Sequence, residues 1–367
     1  MYDFKAILIS GEVYNNIPEV LACLANVTNT STPQDDSNQV RWVFVAPIIF
    51  WVGVVGNALI LAVMTQTWMR GTSTSSYLIA MAVADLFVLV TGMIPDWLEA
   101  NQFVALKELH PAACKIEKFL FYTSGDTAIW IRVLFTLDRF VAVCFPMSTT
   151  ECCVYWKAKY YSLAALFAAT LKNFHVLWTR GAEYKAIDQA LIDSCLNFFG
   201  LVDDSTNSSS SSVNVSVVGL VSNCGGTTPM NKYFEAYVRP WIAFSLVSVL
   251  PFCIIVTCNL LIILTLARSK RKRAGKVLVR SSHEKHIVQL TAMCLSASFC
   301  FLVCVTPSII LLIGKPYWAK DNLSYDVAKA INNQLYYVVH SANFFLYCIT
   351  GKIANFEPGL GAPLSTE

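Results

Sequence analysis

Charged residues are scarce in this chain. Asp, Glu, Lys and Arg make up 14% of it, against about a quarter in an average soluble domain, so the 55% that is apolar must face something other than water. Alternating ten-residue strands are missing too, which argues against a membrane β-barrel. No nucleophile motif occurs, and His175 and His340 stand alone without metal-ligand spacing, so neither an enzyme nor a metal protein is expected. Each histidine reads as an internal hydrogen-bonding residue. No cofactor and no nucleic-acid partner are expected. The start, MYDFKAILISGEV, has an early acid and too short an apolar run for a secretory signal, which leaves targeting to the first membrane helix.

What the chain has instead is apolar blocks, seven of them, at roughly 42–66, 76–95, 115–145, 159–179, 240–267, 287–313 and 328–350. Each has about 20 residues or more, enough at 1.5 Å rise per residue to cross a hydrocarbon core of about 30 Å. The expected fold is an all-α membrane protein, a seven-helix bundle over 42–350 between a tail at 1–41 and a second tail at 351–367, with a short cytoplasmic helix after the seventh span. The loop at 267–287 carries Arg268, Lys270, Arg271, Lys272, Arg273, Lys276, Arg280 and Lys285 against one acid, Glu284. By the positive-inside rule that loop is cytoplasmic, and seven spans then put the N-terminus outside. Glycosylation sequons agree, because Asn26, Asn29, Asn207, Asn214 and Asn322 all fall in segments this topology places outside. Residues 1–40 are polar and turn-rich and read as mostly disordered. The long outer loop, 180–239, includes the run SSSSS at 208–212, a flexible spacer by composition, and can still form a hairpin rim. Of the cysteines, Cys23, Cys114, Cys195 and Cys224 lie where oxidation outside the cell can reach them, while those in apolar blocks act as small hydrophobes.

The third block ends in Asp138-Arg139-Phe140 and holds two charges, Asp126 and Arg132, at depths that lipid forbids without a partner. Other motifs stand in order along the chain: Gly56-Asn57 in the first block, Asp85 in the second, Pro251 in the fifth, Phe301, Cys304 and Pro307 in the sixth, and Asn343-Phe344-Phe345-Leu346-Tyr347 in the seventh. On these residues, across about 42–356, the chain resembles the rhodopsin-like G-protein-coupled receptors. The aspartate-arginine-phenylalanine triplet and the ending NFFLYCITGK are similar to invertebrate receptors for FMRFamide-like peptides. The resemblance implies coupling to a heterotrimeric G protein through Asp138, Arg139 and Phe140. It also implies a switch built on Asn57, Asp85, Ile129, Pro251, Phe301, Pro307, Asn343 and Tyr347, and a disulfide from Cys114 to the second outer loop. Two partners are open for that bond, Cys224 and Cys195, with Cys224 preferred. Cys195 then pairs with Cys23 or stays free.

Several positions depart from the family pattern. Val305 stands where the family has a tryptophan, Phe344 replaces a proline, Asn259 replaces a tyrosine, and Ile287 stands where an acid would lock Arg139. Arg132 lies seven residues before Arg139, two turns away on the same face, at a level the family fills with an apolar side chain. Ala128 stands one turn further on, where many members have a serine that helps hold sodium. Arg132 is therefore expected to pair with Asp85 and take the ion's place. The alternative is that it meets only backbone carbonyls and water.

The ligand class is narrowed by what is missing from the pocket. Amine receptors have an aspartate where this chain has Phe121, and opsins need a lysine midway along the seventh helix, where Tyr336, Tyr337 and His340 stand. Trp97, Glu117, Phe121, Tyr122, Trp241, Tyr336 and Tyr337 suit an aromatic-rich, wide pocket. The outer acids Glu99, Glu117, Asp126, Glu235, Asp321 and Asp326 would suit a basic, amidated peptide. The expected function is a cell-surface receptor for an extracellular ligand, a neuropeptide by preference, with membrane lipid around it and a G protein beneath it. The alternative is a seven-helix transporter or channel, which predicts polar pores and inverted repeats.

Overall fold

A computed structural model describes residues 4–9, 12–14, 44–66, 71–101, 111–148, 153–186, 216–273, 282–314 and 323–355. Among them, seven long helical runs follow the apolar blocks. Helix α1 spans Ala46–Met64. Helix α2 starts at Ser73 behind a Thr72 cap whose hydroxyl accepts from the Ser75 N–H at 3.1 Å. It runs Ser73–Val88, widens to a π turn over Leu89–Met93 and continues as Ile94–Ala100. Helix α3 is Pro111–Cys144 and α4 is Tyr155–Asn173. Helix α5 begins with Pro229–Tyr233, passes through π turns at Phe234–Val238 and Phe244–Val249, and is regular over Leu250–Arg273. Helix α6 is Ser282–Gly314, and α7 is Leu323–Ser341 followed by Asn343–Asn355. Within α1, α2, α5 and α6, the stretches Ala46–Met64, Ser73–Leu98, Pro229–Ser269 and Thr291–Ser308 are long and apolar enough to cross a membrane on length and composition alone.

The three π turns share a cause. Each ends two residues before a proline: Pro95, Pro240 or Pro251. Proline has no N–H for the carbonyl four residues back, and its ring crowds that carbonyl, so the turn ahead of it can widen to take in one extra residue. Pro307 lies inside α6 without such a turn.

The chain divides into two compact units. The bundle unit comprises Phe44–Ile94, Leu120–Phe174 and Pro240–Glu367. Its polarity is the reverse of a soluble protein's. Asn57, Asp85, Arg132, Asp138, Arg139, His340 and Asn343 are buried, while Trp51, Phe167 and Phe299 are exposed. Such an arrangement fits a hydrocarbon solvent, where backbone polar groups are satisfied within helices and packing gains dispersion rather than hydrophobic energy. One apolar cluster gathers Met81, Ile131, Phe135, Met293 and Tyr347, and a second gathers Ile129, Val133, Ile255, Phe301 and Val305. The expected switch residues Ile129 and Phe301 thus share a cluster, and Val305 is buried in it. Pro251 is buried one turn before Ile255.

The loop unit comprises Met1–Val43, Pro95–Phe119 and His175–Arg239. Strands β1 (Phe4–Ile9), β2 (Glu12–Tyr14), β3 (Arg180–Ala186) and β4 (Ser216–Gly226) form an antiparallel sheet in the order β2-β1-β4-β3. The hairpin expected of the long outer loop is β3–β4, with Ala182 opposite Cys224. Within residues 1–40, read from composition as mostly disordered, the two described stretches are strands. The segment FKAILI is rich in residues that favour strands, and β4 offers it an unpaired edge. The asparagines of all five sequons, Cys23, Cys195, residues 187–215 with the serine run, the middle of the basic loop and the chain beyond Asn355 lie outside the described residues.

Candidate functional site

Asp85 on α2 has no solvent exposure, and Arg132, His340 and Asn343 close round it at 4% exposure or less. Its oxygen Oδ1 meets Arg132 Nη2 at 2.9 Å and His340 Nδ1 at 2.6 Å. Oδ2 accepts from Arg132 Nη2 at 3.1 Å and from Asn343 Nδ2 at 2.6 Å. An ionised carboxylate only accepts, so the imidazole hydrogen belongs on Nδ1. Arg132 Nη2 also donates to the Val339 carbonyl at 3.2 Å, combining the two contacts the sequence left as alternatives. Asn57 Nδ2 donates to the carbonyls of Gly53 and His340, both at 2.9 Å, which ties α1 to α7 at the same level. Arg132 Nη1 and His340 Nε2 have no hydrogen-bond partner among the described residues.

His340 was not expected in this group. It lies three residues before Asn343 and so on the same face of α7. That spacing was the available signal, and reading each histidine by itself passed over it.

Around Phe121 on α3, within the bundle unit, lies an aromatic cluster. The Phe121 ring is 5.8 Å from Tyr336, 6.4 Å from Tyr337 and 5.7 Å from Tyr122. Tyr336 sits 4.9 Å from His340, so the cluster rests directly on the Asp85 group. Two glycines make room for it, since a Cβ on Gly92 would strike Phe121 and Tyr337, and one on Gly125 would strike Tyr336. Trp241 packs edge-on against Phe244 and is more than half exposed. Trp97 and Glu117 belong to the loop unit, where Glu117 pairs with Lys118 at 2.8 Å.

At the other end of α3, Arg139 is 5% exposed. It pairs with Asp138, donates to the Ser73 hydroxyl at 3.2 Å and lies over the Phe135 ring at 5.8 Å. The Ser73 hydroxyl donates to Asp138 Oδ2 at 3.0 Å, so α2 holds the pair. Phe140 stacks edge-on with Phe145. The Tyr347 hydroxyl reaches Met81 Sδ at 3.7 Å, and Thr136 joins the Arg132 carbonyl at 2.9 Å and stands 3.5 Å from Ser298.

Two of the acids expected to attract a basic ligand are already neutralised. Asp126 accepts from Lys172 Nζ and Asn173 Nδ2, both at 2.6 Å. In the loop unit Glu235 holds Arg180 and Arg239, each at 2.5 Å. The disulfide joins Cys114 to Cys224, with Cα atoms 5.7 Å apart, and Arg180 Nη1 donates to the Cys224 carbonyl at 3.3 Å.

Comparison with known proteins settles what kind of bundle this is. Residues 56–347 match the 7 transmembrane receptor (rhodopsin family). The chain belongs to that family. Rhodopsin-family chains are receptors, not enzymes, and this one is a multi-pass membrane protein. Thyrotropin-releasing hormone receptors of Mus musculus and Homo sapiens are 24% identical over 214 residues, covering 58% of this chain and 46% of each of theirs. The receptor of Gallus gallus is 29% identical over 121 residues, 33% of this chain and 30% of its own. The chain spans about half the length of the curated relatives it matches.

Proposed function

We propose that this rhodopsin-family receptor binds an extracellular peptide at the Phe121–Tyr336–Tyr337 end of the bundle and signals to a heterotrimeric G protein at Arg139. The observation that carries this reading is the stack on α3. One helix presents an aromatic cluster at one end, a buried arginine bound to Asp85 in the middle and a second arginine held by Asp138 at the other. In this reading the N-terminus, the β3–β4 hairpin and the sequons are outside, and the basic loop after α5 is inside. Trp97, Glu117, Tyr122 and Trp241 would contact ligand, while Ile129, Pro251, Phe301 and Pro307 would carry the change in packing to the cytoplasmic half. Arg132 fills the place of a cation at Asp85.

The mechanism is a shift of population. Ligand favours the state in which α6 moves out and frees Arg139, and it can do so only by its difference in affinity between states. The relatives' name points to a peptide hormone, and residues 138–140 with 343–352 point to FMRFamide-like peptides. A peptide library containing both, read by calcium and cyclic AMP in cells, identifies the ligand. Ligand-stimulated nucleotide exchange on the G protein should then disappear in Arg139→Ala, and its survival there would overturn the coupling role. A transporter or channel reading has no specific observation in its favour.

A further inference from the structure

Gln334 stands on α7 about one turn beyond Tyr337, on the side away from the Asp85 group. It shares a helix face with Tyr337 and Ser341, three and seven residues further on. That face packs toward α1 and α2. A Cβ on Gly53 would strike the Ser341 hydroxyl and Leu89, and one on Gly92 would lie 2.9 Å from the Tyr337 hydroxyl. Polar groups nearby are paired: Ser341 donates to the Tyr337 carbonyl at 3.0 Å, and Asn332 accepts from Ser308 on α6 at 2.7 Å. Gln334 is different. It is 7% exposed, yet neither Oε1 nor Nε2 has a hydrogen-bond partner among the described residues. No other buried side chain among them leaves two polar atoms unpaired. Leaving both ends of a buried amide unmet is costly, and such a group calls for a partner from elsewhere.

We propose that Gln334 is a specificity-determining residue of the ligand site and pairs edge to edge with a primary carboxamide of the peptide, either its C-terminal amide or a Gln or Asn side chain. The inference rests on the peptide-receptor reading above and names a group that such a ligand presents. A glutamine amide sets one acceptor beside one donor, so its complement carries a donor and an acceptor on a single edge. A trans peptide unit points its N–H and C=O to opposite sides and makes only one of the two bonds. A carboxylate accepts from Nε2 but turns a second anionic oxygen toward Oε1. An ammonium donates to Oε1 but faces the Nε2 hydrogens. A primary carboxamide has an N–H beside its C=O and makes both bonds. The position fits as well. The Phe121–Tyr336–Tyr337 rings begin within a turn of Gln334, so an amide held there lays the neighbouring apolar part of the ligand against them.

The test screens the full chain in cells with an amidated peptide library that includes Phe-Met-Arg-Phe-amide. Each active member is remade as the free acid and, separately, with its Gln and Asn side chains replaced by Met. On the wild-type receptor one of these two changes should cost about a hundredfold in potency, roughly tenfold for each of two hydrogen bonds, and which one does so identifies the source of the carboxamide. In Gln334→Met, of similar length and without polar ends, the same change should cost less than about threefold. The purified, ligand-free Gln334→Met receptor should melt at or above the wild-type midpoint, because two unmet polar atoms are gone. A full hundredfold loss that persists in Gln334→Met, or potency indifferent to both changes, would overturn the proposal and leave the peptide reading intact. A lowered midpoint would overturn it too, by showing that the receptor itself holds the amide. If no member acts in any form, the peptide reading fails and this inference fails with it.

Discussion

Arg132 is what allows a carboxylate to sit at zero exposure in the middle of the bundle. With each Asp85 oxygen already accepting two hydrogen bonds, no coordination position remains for a metal ion. Agonist affinity should therefore be flat across a sodium titration, and a large sodium effect would show that the guanidinium does not occupy that place. Removing one partner of a buried pair costs about 3–5 kcal/mol, because the other charge stays buried without compensation. Arg132→Met and Asp85→Asn should each lower the thermal midpoint of the purified receptor. The double variant should lose clearly less than the sum, and strict additivity would mean that the two side chains are not coupled. A similar argument applies at the other arginine. In Asp138→Asn the charge partner is gone, and Arg139 keeps the Ser73 hydroxyl and the Phe135 ring. Basal nucleotide exchange should rise relative to wild type. Arg139 and Arg132 were both visible in the sequence, the first as part of a motif and the second as a charge at a forbidden depth. His340 was not, because a histidine's role depends on which helices face it.

At the scale of the helix, glycine decides how close the aromatic cluster can come to α2. A Cβ on Gly92 would lie 2.9 Å from the Tyr337 hydroxyl and closer still to the Phe121 ring. Overpacking of this kind costs about 1–3 kcal/mol. Gly92→Ala should push the two rings apart, lowering both the thermal midpoint and the affinity of the peptide found by screening. Unchanged affinity would place the ligand away from these rings. The positions of the helices were legible in advance, since blocks of about 20 apolar residues have few alternatives in a 30 Å hydrocarbon layer. The π turns were not legible. Pro95, Pro240 and Pro251 announce a lost hydrogen bond, but whether a helix kinks or takes in an extra residue depends on what packs against it. The strands at residues 4–14 were missed for a related reason, as β2 pairs with β1 and the strand on the other side of β1, β4, lies more than 200 residues further along the chain.

Taken as a whole molecule, the chain pairs an interior stitched by ions and amides with a loop unit closed by covalent and ionic ties. The preference for Cys224 over Cys195, drawn from the family resemblance, is borne out by the disulfide to Cys114. In the structure, the pairing of Gly181 with Gly225 and Ala182 with Cys224 carries the second cysteine along a strand to Cys114. That bond closes a separation of 110 residues, for which the chain-entropy account gives at most about 5 kcal/mol. Beside it, Glu235 holds Arg180 and Arg239 with side chains that are 9%, 11% and 25% exposed, a network worth less than the disulfide because part of it reaches solvent. Cys224→Ser should therefore lower peptide affinity and the thermal midpoint more than Glu235→Gln does. Neither change touches Asp138, Arg139 or Ser73, so basal nucleotide exchange should stay at the wild-type level in both. If Cys224→Ser abolished basal exchange in receptor that still reaches the cell surface, the loop unit would be setting the resting state of the bundle as well as holding the ligand.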